Sequence, residues 1–122
     1  MFSEKLLEVL AHEGVVTIIA QGENSPHAVN TWNTFVSIEE HSFIVPVGGM
    51  QTMEKILNKN QTVLLTIGSY HVEGLHGQGA GFHLHGQACM HTSGKLCDTI
   101  KSHYPWARAA LQIDIETYQQ MA

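Results

Sequence analysis

Apolar and polar residues alternate along this chain with two different periods, one typical of helices and one of half-buried strands. Ser3 precedes a run in which leucine and valine recur one helical turn apart, so residues 4–10 are predicted to form a capped helix. Gly14 stands where a left-handed cap commonly ends such a helix. Residues 15–20 are β-branched and too few for a stable helix, which predicts a strand, and the segment 22–26 predicts a turn.

The middle of the chain continues with strand-like alternation, followed by a helical spacing. Residues 27–38 alternate throughout, with Trp32 on one face, which predicts one long strand that bends around a barrel. A further strand at residues 42–47 ends in two consecutive glycines, Gly48 and Gly49. After them methionine, isoleucine and leucine recur at helical spacing, so a helix is predicted to start directly behind the glycine turn.

The second half of the chain completes the predicted fold. Its patterns predict strands at residues 61–69, 82–91 and 111–116, a glycine-rich loop at 74–81 and a helix around 96–100. Six strands joined mostly by hairpins, with two or three short helices on the rim, predict a mainly β, six-stranded antiparallel barrel. The pattern lacks the helices between strands that a parallel sheet would need. The length of 122 residues predicts a single domain.

Composition and charge exclude several function classes. Six basic residues against eleven acidic ones give a formal net charge of −5, and the basic residues are scattered singly, so no nucleic-acid partner is predicted. No apolar run reaches membrane-spanning length and no signal-peptide pattern is present, which predicts a cytoplasmic protein without a membrane partner. Cys89 and Cys97 are too few for a disulfide framework and are predicted to be reduced thiols.

Both tryptophans stand beside small or polar residues, a pattern that suits a flat aromatic ligand. Trp32 lies among Asn30, Thr31 and Asn33, an unusual setting for a core tryptophan, although core packing remains an alternative. Trp106 precedes the only arginine of the chain by two positions. A small domain buries a limited share of its surface, so a second copy of the chain can cover tryptophan that the domain itself leaves exposed. A homodimer is therefore also predicted.

Gly48 and Gly49 precede the helix predicted to begin at about Gln51. Free N–H groups at such a helix start favour an anion, and glycine lets the backbone approach it closely, so a phosphate site is one interpretation. A tight strand-to-helix turn without a ligand is the other. Lys55 and Lys59, one helical turn apart on the same element, add positive charge nearby.

Nine histidines are an unusual number for this length. Several of them share one face of a single predicted strand with Gln87 and Cys89, and imidazoles two residues apart on a strand can share a metal. A polar row that faces solvent or a second subunit explains the same alternation, so no metal site is predicted. The histidines of this row are His83, His85 and His91. No histidine has a sequence-local partner that marks it as a catalytic base, so no catalytic residue is predicted.

Several segments spread over the chain resemble the small bacterial FMN-binding proteins of the pyridoxamine 5'-phosphate oxidase-like split-barrel superfamily. The likeness is carried by segments 13–16, 21–23, 29–33, 46–50 and 106–111. The resemblance implies a six-stranded antiparallel split barrel that forms a homodimer with one FMN per subunit at the interface. It places the flavin ring near Trp32, Phe35, Trp106 and Glu13, with the partner subunit's Ala122 covering the ring. The cofactor-binding residues predicted from the motifs and the resemblance together are Glu13, Asn30, Thr31, Trp32, Asn33, Phe35, Val47, Gly48, Gly49, Met50, Gln51, Thr52, Trp106 and Ala122.

The chain departs from this family pattern at three places. A lysine-threonine pair after the glycine turn is replaced by Thr52 and Met53, so backbone N–H groups with Lys55 or Arg108 as counter-charge can take its role. A tyrosine is replaced by Phe35, and a bulky aliphatic C-terminal residue by Ala122, which leaves the ring more open to water.

The sequence thus predicts an FMN-binding protein of the cytoplasm that carries electrons to or from an unidentified redox partner protein. The cofactor supplies the chemistry, and the charge of Glu13 is predicted to lower its reduction potential. A flavin reductase or a pyridoxamine-phosphate-oxidase-like enzyme on the same fold is the first alternative. A haem or metal carrier built on the histidine row is the second, and a cofactor-free structural protein is the third.

Overall fold

The computed structural model describes residues 2–122 as one seven-stranded antiparallel sheet with three α-helices. The helices are α1 (Glu4–Leu10), α2 (Gln51–Leu57) and α3 (Lys95–His103). The strands are β1 (Val15–Gln21), β2 (Pro26–Trp32), β3 (Ser37–Glu39), β4 (Ser42–Val47), β5 (Thr62–Gly74), β6 (Gly77–His91) and β7 (Ala109–Gln120). Their order across the sheet is β2-β1-β5-β6-β7-β4-β3, so the sheet is open, with β2 and β3 as its edges.

Alternating apolar residues of the strands form the core, with α1 and α2 packed against them. The largest fully buried side chains include Phe43, Leu65, Leu84, Leu111 and Ile113. Burial of such side chains is the main driving force of folding. None of the helices within residues 2–122 has the length and apolar character needed to cross a membrane.

The N-terminal helix begins as the sequence predicts, but Gly14 has a different role from the one predicted. The Ser3 hydroxyl accepts a hydrogen bond from the Leu6 N–H group (3.2 Å), which caps α1. Gly14 is not in the left-handed conformation, and α1 ends at Leu10 with Ala11 as its C-cap. The Gly14 carbonyl instead accepts the Asn33 N–H group (3.0 Å), and its α-carbon lies against the backbone of Gly68, with no room for a side chain. Close approach, rather than a helix cap, requires this glycine.

The predicted count of six strands is wrong, because the stretch predicted as one strand over residues 27–38 is divided. A single 3₁₀ turn, Asn33–Phe35, separates β2 from β3. The cause is long-range: the Asn33 side-chain amide donates hydrogen bonds to the carbonyl oxygens of Val9 (3.1 Å) and Gly68 (3.0 Å). These bonds hold Asn33 inside the protein and end the alternation of β2. The prediction of two or three short helices is confirmed.

The predicted glycine-rich loop at residues 74–81 is also wrong, since most of it is strand. β5 continues to Gly74 and pairs with β6 from Gly77 onwards, so only the two residues between them form the turn. Gly77 and Gly79 have positive φ angles of 126° and 108°, which explains the glycines within a strand. The pairing of β5 with β6 is irregular between Ser69 and Glu73. This irregularity borders the candidate site.

Asp114 of β7 pairs with Ser42 of β4 across the sheet, and we expect this pair to make stability depend on acid pH. The Ser42 hydroxyl donates a hydrogen bond to the Asp114 carboxylate, and this bond is the main reason why the pKa of Asp114 is lowered. Burial raises the pKa by a smaller amount. The hydrogen bond from the Gln112 side-chain amide (3.0 Å) and the positive charges of His41 and His91 lower it further. Because its pKa is lowered on folding, the carboxylate stabilises the folded protein at pH values above the ordinary aspartate pKa of about 3.9. This stabilisation is lost as the pH falls through the pKa of Asp114 in the folded protein.

Asp114→Asn is therefore expected to reduce the free energy of unfolding at neutral pH, and this deficit should shrink in acid, well below the ordinary aspartate value of about 3.9. Urea unfolding at the two pH values measures this, with Glu39→Gln, an exposed carboxyl of β3, as the control. An equal deficit of Asp114→Asn at both pH values would contradict the role of the carboxylate charge.

Candidate functional site

Trp32, the last residue of β2, lies over a groove of about 620 Å³ on the surface of the sheet. The 3₁₀ turn that follows Trp32 ends the strand, so the indole stands at a sheet edge with 53% of its surface exposed. We call this cavity the Trp32 groove. Its lining residues are Glu13, Gly14, Trp32, Thr34, Gly68, Ser69, Tyr70 and His71.

A buried serine joins the two rims of the Trp32 groove. Ser69 is 5% exposed, and its hydroxyl donates a hydrogen bond to the Glu13 carbonyl (2.7 Å). The same hydroxyl accepts the backbone N–H group of His71 (3.2 Å). Ser69 therefore fixes the backbone of Glu13, in the α1–β1 connection, relative to His71 on β5. Tyr70 between them is 75% exposed, an unusual state for an aromatic side chain.

Trp106 belongs to a second aromatic group at the glycine turn. Its ring centroid lies 5.8 Å from that of Phe35 and 5.6 Å from that of Tyr104, and a Cβ placed on Gly48 would lie 3.4 Å from its ring atoms. Trp106 is nevertheless 54% exposed. We call this group, with Gly49 and Arg108, the glycine corner.

Arg108 fixes the conformation of the glycine corner. Its Nε and one terminal nitrogen donate hydrogen bonds to the Gly49 carbonyl (2.9 and 2.7 Å), and its other terminal nitrogen pairs with the Glu54 carboxylate at 2.9 Å. The Arg108 N–H group donates to the Val47 carbonyl (2.8 Å). Because the N–H and C=O groups of a trans peptide point in opposite directions, the N–H group of Met50 is turned away from the guanidinium.

The start of α2 behind this turn is formed by backbone groups. Met50 is its N-cap residue in the left-handed conformation, with φ 61° and ψ 34°, and no side chain caps the first turn. Gln51 and Thr52 are exposed, whereas Met53 is fully buried in the core. Lys55 is exposed, and Lys59 pairs with Glu23 (3.1 Å). The side-chain cation nearest the turn is therefore Arg108, and Glu54 balances its charge.

Other residues predicted to contact the cofactor do not line the Trp32 groove. Val47, Thr31 and Asn33 are buried, and Asn33 holds the 3₁₀ turn while its side-chain oxygen has no hydrogen-bond partner. Asn30 is exposed on β2 and accepts a hydrogen bond from the Thr17 hydroxyl (2.7 Å). Ala122 extends the pairing of the C terminus with β6, where its carbonyl accepts the Gly81 N–H group (3.2 Å).

The histidine row does not assemble a metal centre in the described part of the chain. Within residues 2–122 no three His, Cys, Asp or Glu side chains are grouped closely enough to hold a metal ion. His91 instead shares a hydrogen bond with Gln112 (2.9 Å). His83 and His85 line a small cleft with residues of β7, and Cys89 is exposed.

Within one chain, six of the predicted site residues thus fall into two groups. Glu13 and Trp32 lie in the Trp32 groove, while Phe35, Trp106 and the paired glycines meet at the glycine corner. The groove residues from Ser69 to His71 were not among the predicted site residues, since strand β5 was predicted to end at residue 69. The signal available in the sequence was the tyrosine directly after that point, Tyr70.

The residues present fit a flat aromatic ligand with an anionic tail, such as FMN. Two tryptophans are more than half exposed although tryptophan is usually well buried. The groove falls within the range of roughly 300 to 1,000 Å³ that is typical of ligand pockets. A Cβ on Gly49 would meet only Gln51 Oε1, at 3.6 Å, so there is open space above the turn.

Comparison with solved structures shows a pyridoxamine 5'-phosphate oxidase-like fold. HupZ of Group A Streptococcus superposes with a TM-score of 0.77 at 11% identity, covering 99% of this chain and 94% of that protein. A protein from Clostridium acetobutylicum described as of the pyridoxinephosphate oxidase family gives 0.69 at 16% identity, covering 99% and 90%. An FAD-binding protein from Mesorhizobium loti gives 0.67 at 10% identity, covering 100% and 96%. At these identities the similarity establishes the fold alone.

Sequence comparison adds a relative of known cofactor. No family model matches the chain. The FMN-binding protein of Nitratidesulfovibrio vulgaris (strain DSM 19637 / Miyazaki F) is 41% identical over 121 residues, which are 98% of each chain. The chain belongs to the family of this FMN-binding protein. The resemblance noted in the sequence is thereby confirmed, and the Trp32 groove and the glycine corner are features of an FMN-binding protein homologue.

Proposed function

We propose that this member of the FMN-binding protein family binds FMN and acts as a redox carrier, with the flavin held between two copies of the chain. The observation that carries the proposal is the pair of half-exposed tryptophans, Trp32 and Trp106, in a chain that is 41% identical to an FMN-binding protein. The cytoplasmic location and the redox partner protein predicted from the sequence stay predictions.

Each part of FMN has residues suited to it. The Trp32 indole offers a flat apolar face for the ring, with Glu13 on the rim of the same groove. At the glycine corner, the N–H groups that follow Gly49 suit the phosphate, and the open space above the glycine allows close approach. Arg108 holds the carbonyl of the turn on the opposite side, so that the amide, rather than the carbonyl, faces an anion.

A homodimer accounts for the separation of these two groups. The Trp32 groove and the glycine corner share no lining residue within one chain, and the groove is open on one side. Trp32 and Tyr70 expose large aromatic surfaces that a second copy would cover. In this arrangement the glycine corner of one subunit and the Trp32 groove of the other line the same ligand site.

When bound, FMN supplies the capacity to accept and return electrons, and the residues around it set how readily it does so. The indole of Trp32 orients the ring and excludes water from one face. Glu13 places a negative charge near the ring, which opposes the gain of further negative charge on reduction.

The experiment is to purify the protein and titrate it with FMN, following flavin fluorescence. Binding with strong quenching is expected, because stacking on an indole provides a path for quenching of the excited ring. Trp32→Leu is expected to weaken quenching at saturation, while Leu75→Ala, an exposed residue of the β5–β6 turn outside the groove, should behave as the wild type. Failure to bind added FMN would overturn the proposal. Steady turnover of NADH by the pure holoprotein would favour a flavin reductase over a carrier.

A further inference from the structure

We propose that His71 is a proton-linked residue of the flavin site, whose protonation favours the reduced state of FMN and opposes Glu13. The inference rests on the proposed function, because it requires the ring to lie in the Trp32 groove. It deepens that function by naming the residue that makes the affinity for reduced FMN depend on pH. His71 is one of three titratable side chains that line the groove, together with Glu13 and Tyr70.

The local structure holds His71 on the rim of the groove. β5 and β6 pair regularly up to Ser69 and again from Glu73, so His71 lies in the irregular segment between them. Its N–H group donates to the hydroxyl of Ser69, which in turn donates to the Glu13 carbonyl. One buried hydroxyl therefore fixes the backbone of both rim residues, Glu13 and His71. A ligand between the rims would lie within reach of a carboxylate on one side and an imidazole on the other.

The other charged or titratable groups near this segment do not line the groove, including the Glu73 carboxylate of β5 and the His76 ring of the β5–β6 turn. On α1, Lys5 donates to the Glu73 carbonyl (2.9 Å) and pairs with Glu8 (3.5 Å). The ring of His12 bonds the Glu8 carbonyl (2.8 Å) and does not line the groove. On β6, Gln78 donates to the Tyr70 carbonyl (2.7 Å) and carries no charge. Of the side chains that line the groove, the imidazole of His71 is therefore the one that can carry a positive charge.

Reduction couples to this charge by electrostatics. Two electrons and one proton convert the neutral ring to the reduced anion, and in the experiment dithionite supplies the electrons. An imidazolium on the rim stabilises that anion, whereas Glu13 destabilises it. A neutral imidazole does neither. Binding of reduced FMN is therefore linked to uptake of a proton by His71.

The test compares the wild type with His71→Gln, which is neutral at all pH values, and His71→Lys, which stays positive. For each protein the dissociation constants of oxidised and reduced FMN are measured at about pH 6 and about pH 8.5, on either side of the range in which histidine changes charge. The quantity compared is the dissociation constant of oxidised FMN divided by that of reduced FMN. We expect this ratio to be about tenfold larger in His71→Lys than in His71→Gln. The wild type should match His71→Gln at the higher pH and move towards His71→Lys at the lower one.

His12→Gln is the matched control, since His12 is also exposed and lies next to Glu13 in sequence but outside the groove. It should follow the wild type at both pH values. A wild type that matches His71→Gln throughout, or a His12→Gln that changes the ratio equally, would overturn the inference while leaving FMN binding intact. Absence of FMN binding by the wild type would instead refute the proposed function.

Discussion

Replacing Gly14 by alanine is expected to destabilise the protein by about 3 kcal/mol or more, a severe effect for the addition of one methyl group. A Cβ at this position would overlap the carbonyl oxygen of Gly68 and lie 2.5 Å from Nδ2 of Asn33. Neither neighbour can move freely, because the Gly68 carbonyl and the Asn33 amide are hydrogen-bonded to each other (3.0 Å). The whole connection between α1, β2 and β5 must shift to admit the methyl group.

Urea unfolding of Gly14→Ala against the wild type measures this loss. Gly49→Ala is the matched control, because its Cβ would meet only the flexible end of the Gln51 side chain, at 3.6 Å. The control should lose no more than about 0.5 kcal/mol, the usual range for a surface substitution. If both variants lost the same stability, the close contact of Gly14 with Gly68 and Asn33 would not be the reason why glycine is needed at this position.

The role of Gly14 illustrates which parts of the fold the sequence could predict. The Ser3 cap, the strands β1 and β4 and the helix behind the paired glycines follow from local patterns, and all are found in the structure. The division of residues 27–38 could not be predicted in the same way. It depends on Asn33 reaching Val9 and Gly68, and Gly68 is far away in the sequence. Alternation alone carries no information about such a contact.

The candidate site shows the same limit. The small or polar neighbours of both tryptophans suggested a flat aromatic ligand, with core packing of Trp32 as the alternative, and both tryptophans are more than half exposed. The engagement of Arg108 with Gly49 and Glu54 joins segments more than fifty positions apart, so its partners were not predictable from spacing. The rim from Ser69 to His71 arises from an irregular stretch of β5, and sequence periodicity records where pairing continues rather than where it is interrupted.

Arg108→Gln is expected to weaken FMN binding about tenfold while changing riboflavin binding little, which corresponds to loss of about 1.4 kcal/mol at the phosphate end. Riboflavin has the same ring but no phosphate, so the ratio of the two dissociation constants isolates the glycine corner from the Trp32 groove. The reason lies in the two hydrogen bonds from Arg108 to the Gly49 carbonyl. Without them the turn can rotate its carbonyl towards the phosphate and lose the donor that faces it.

Glu54→Gln should have the opposite effect on the affinity for FMN. It removes the anion that balances Arg108 but leaves the bonds to Gly49, so FMN binding is expected to tighten, again with little change for riboflavin. Lys59→Gln, which lowers the net charge by one as Arg108→Gln does but removes a cation that pairs with Glu23, serves as the net-charge control for Arg108→Gln. Equal weakening of FMN and riboflavin by Arg108→Gln would place its effect on the ring or on folding, and thermal unfolding of the apoproteins would distinguish those two outcomes.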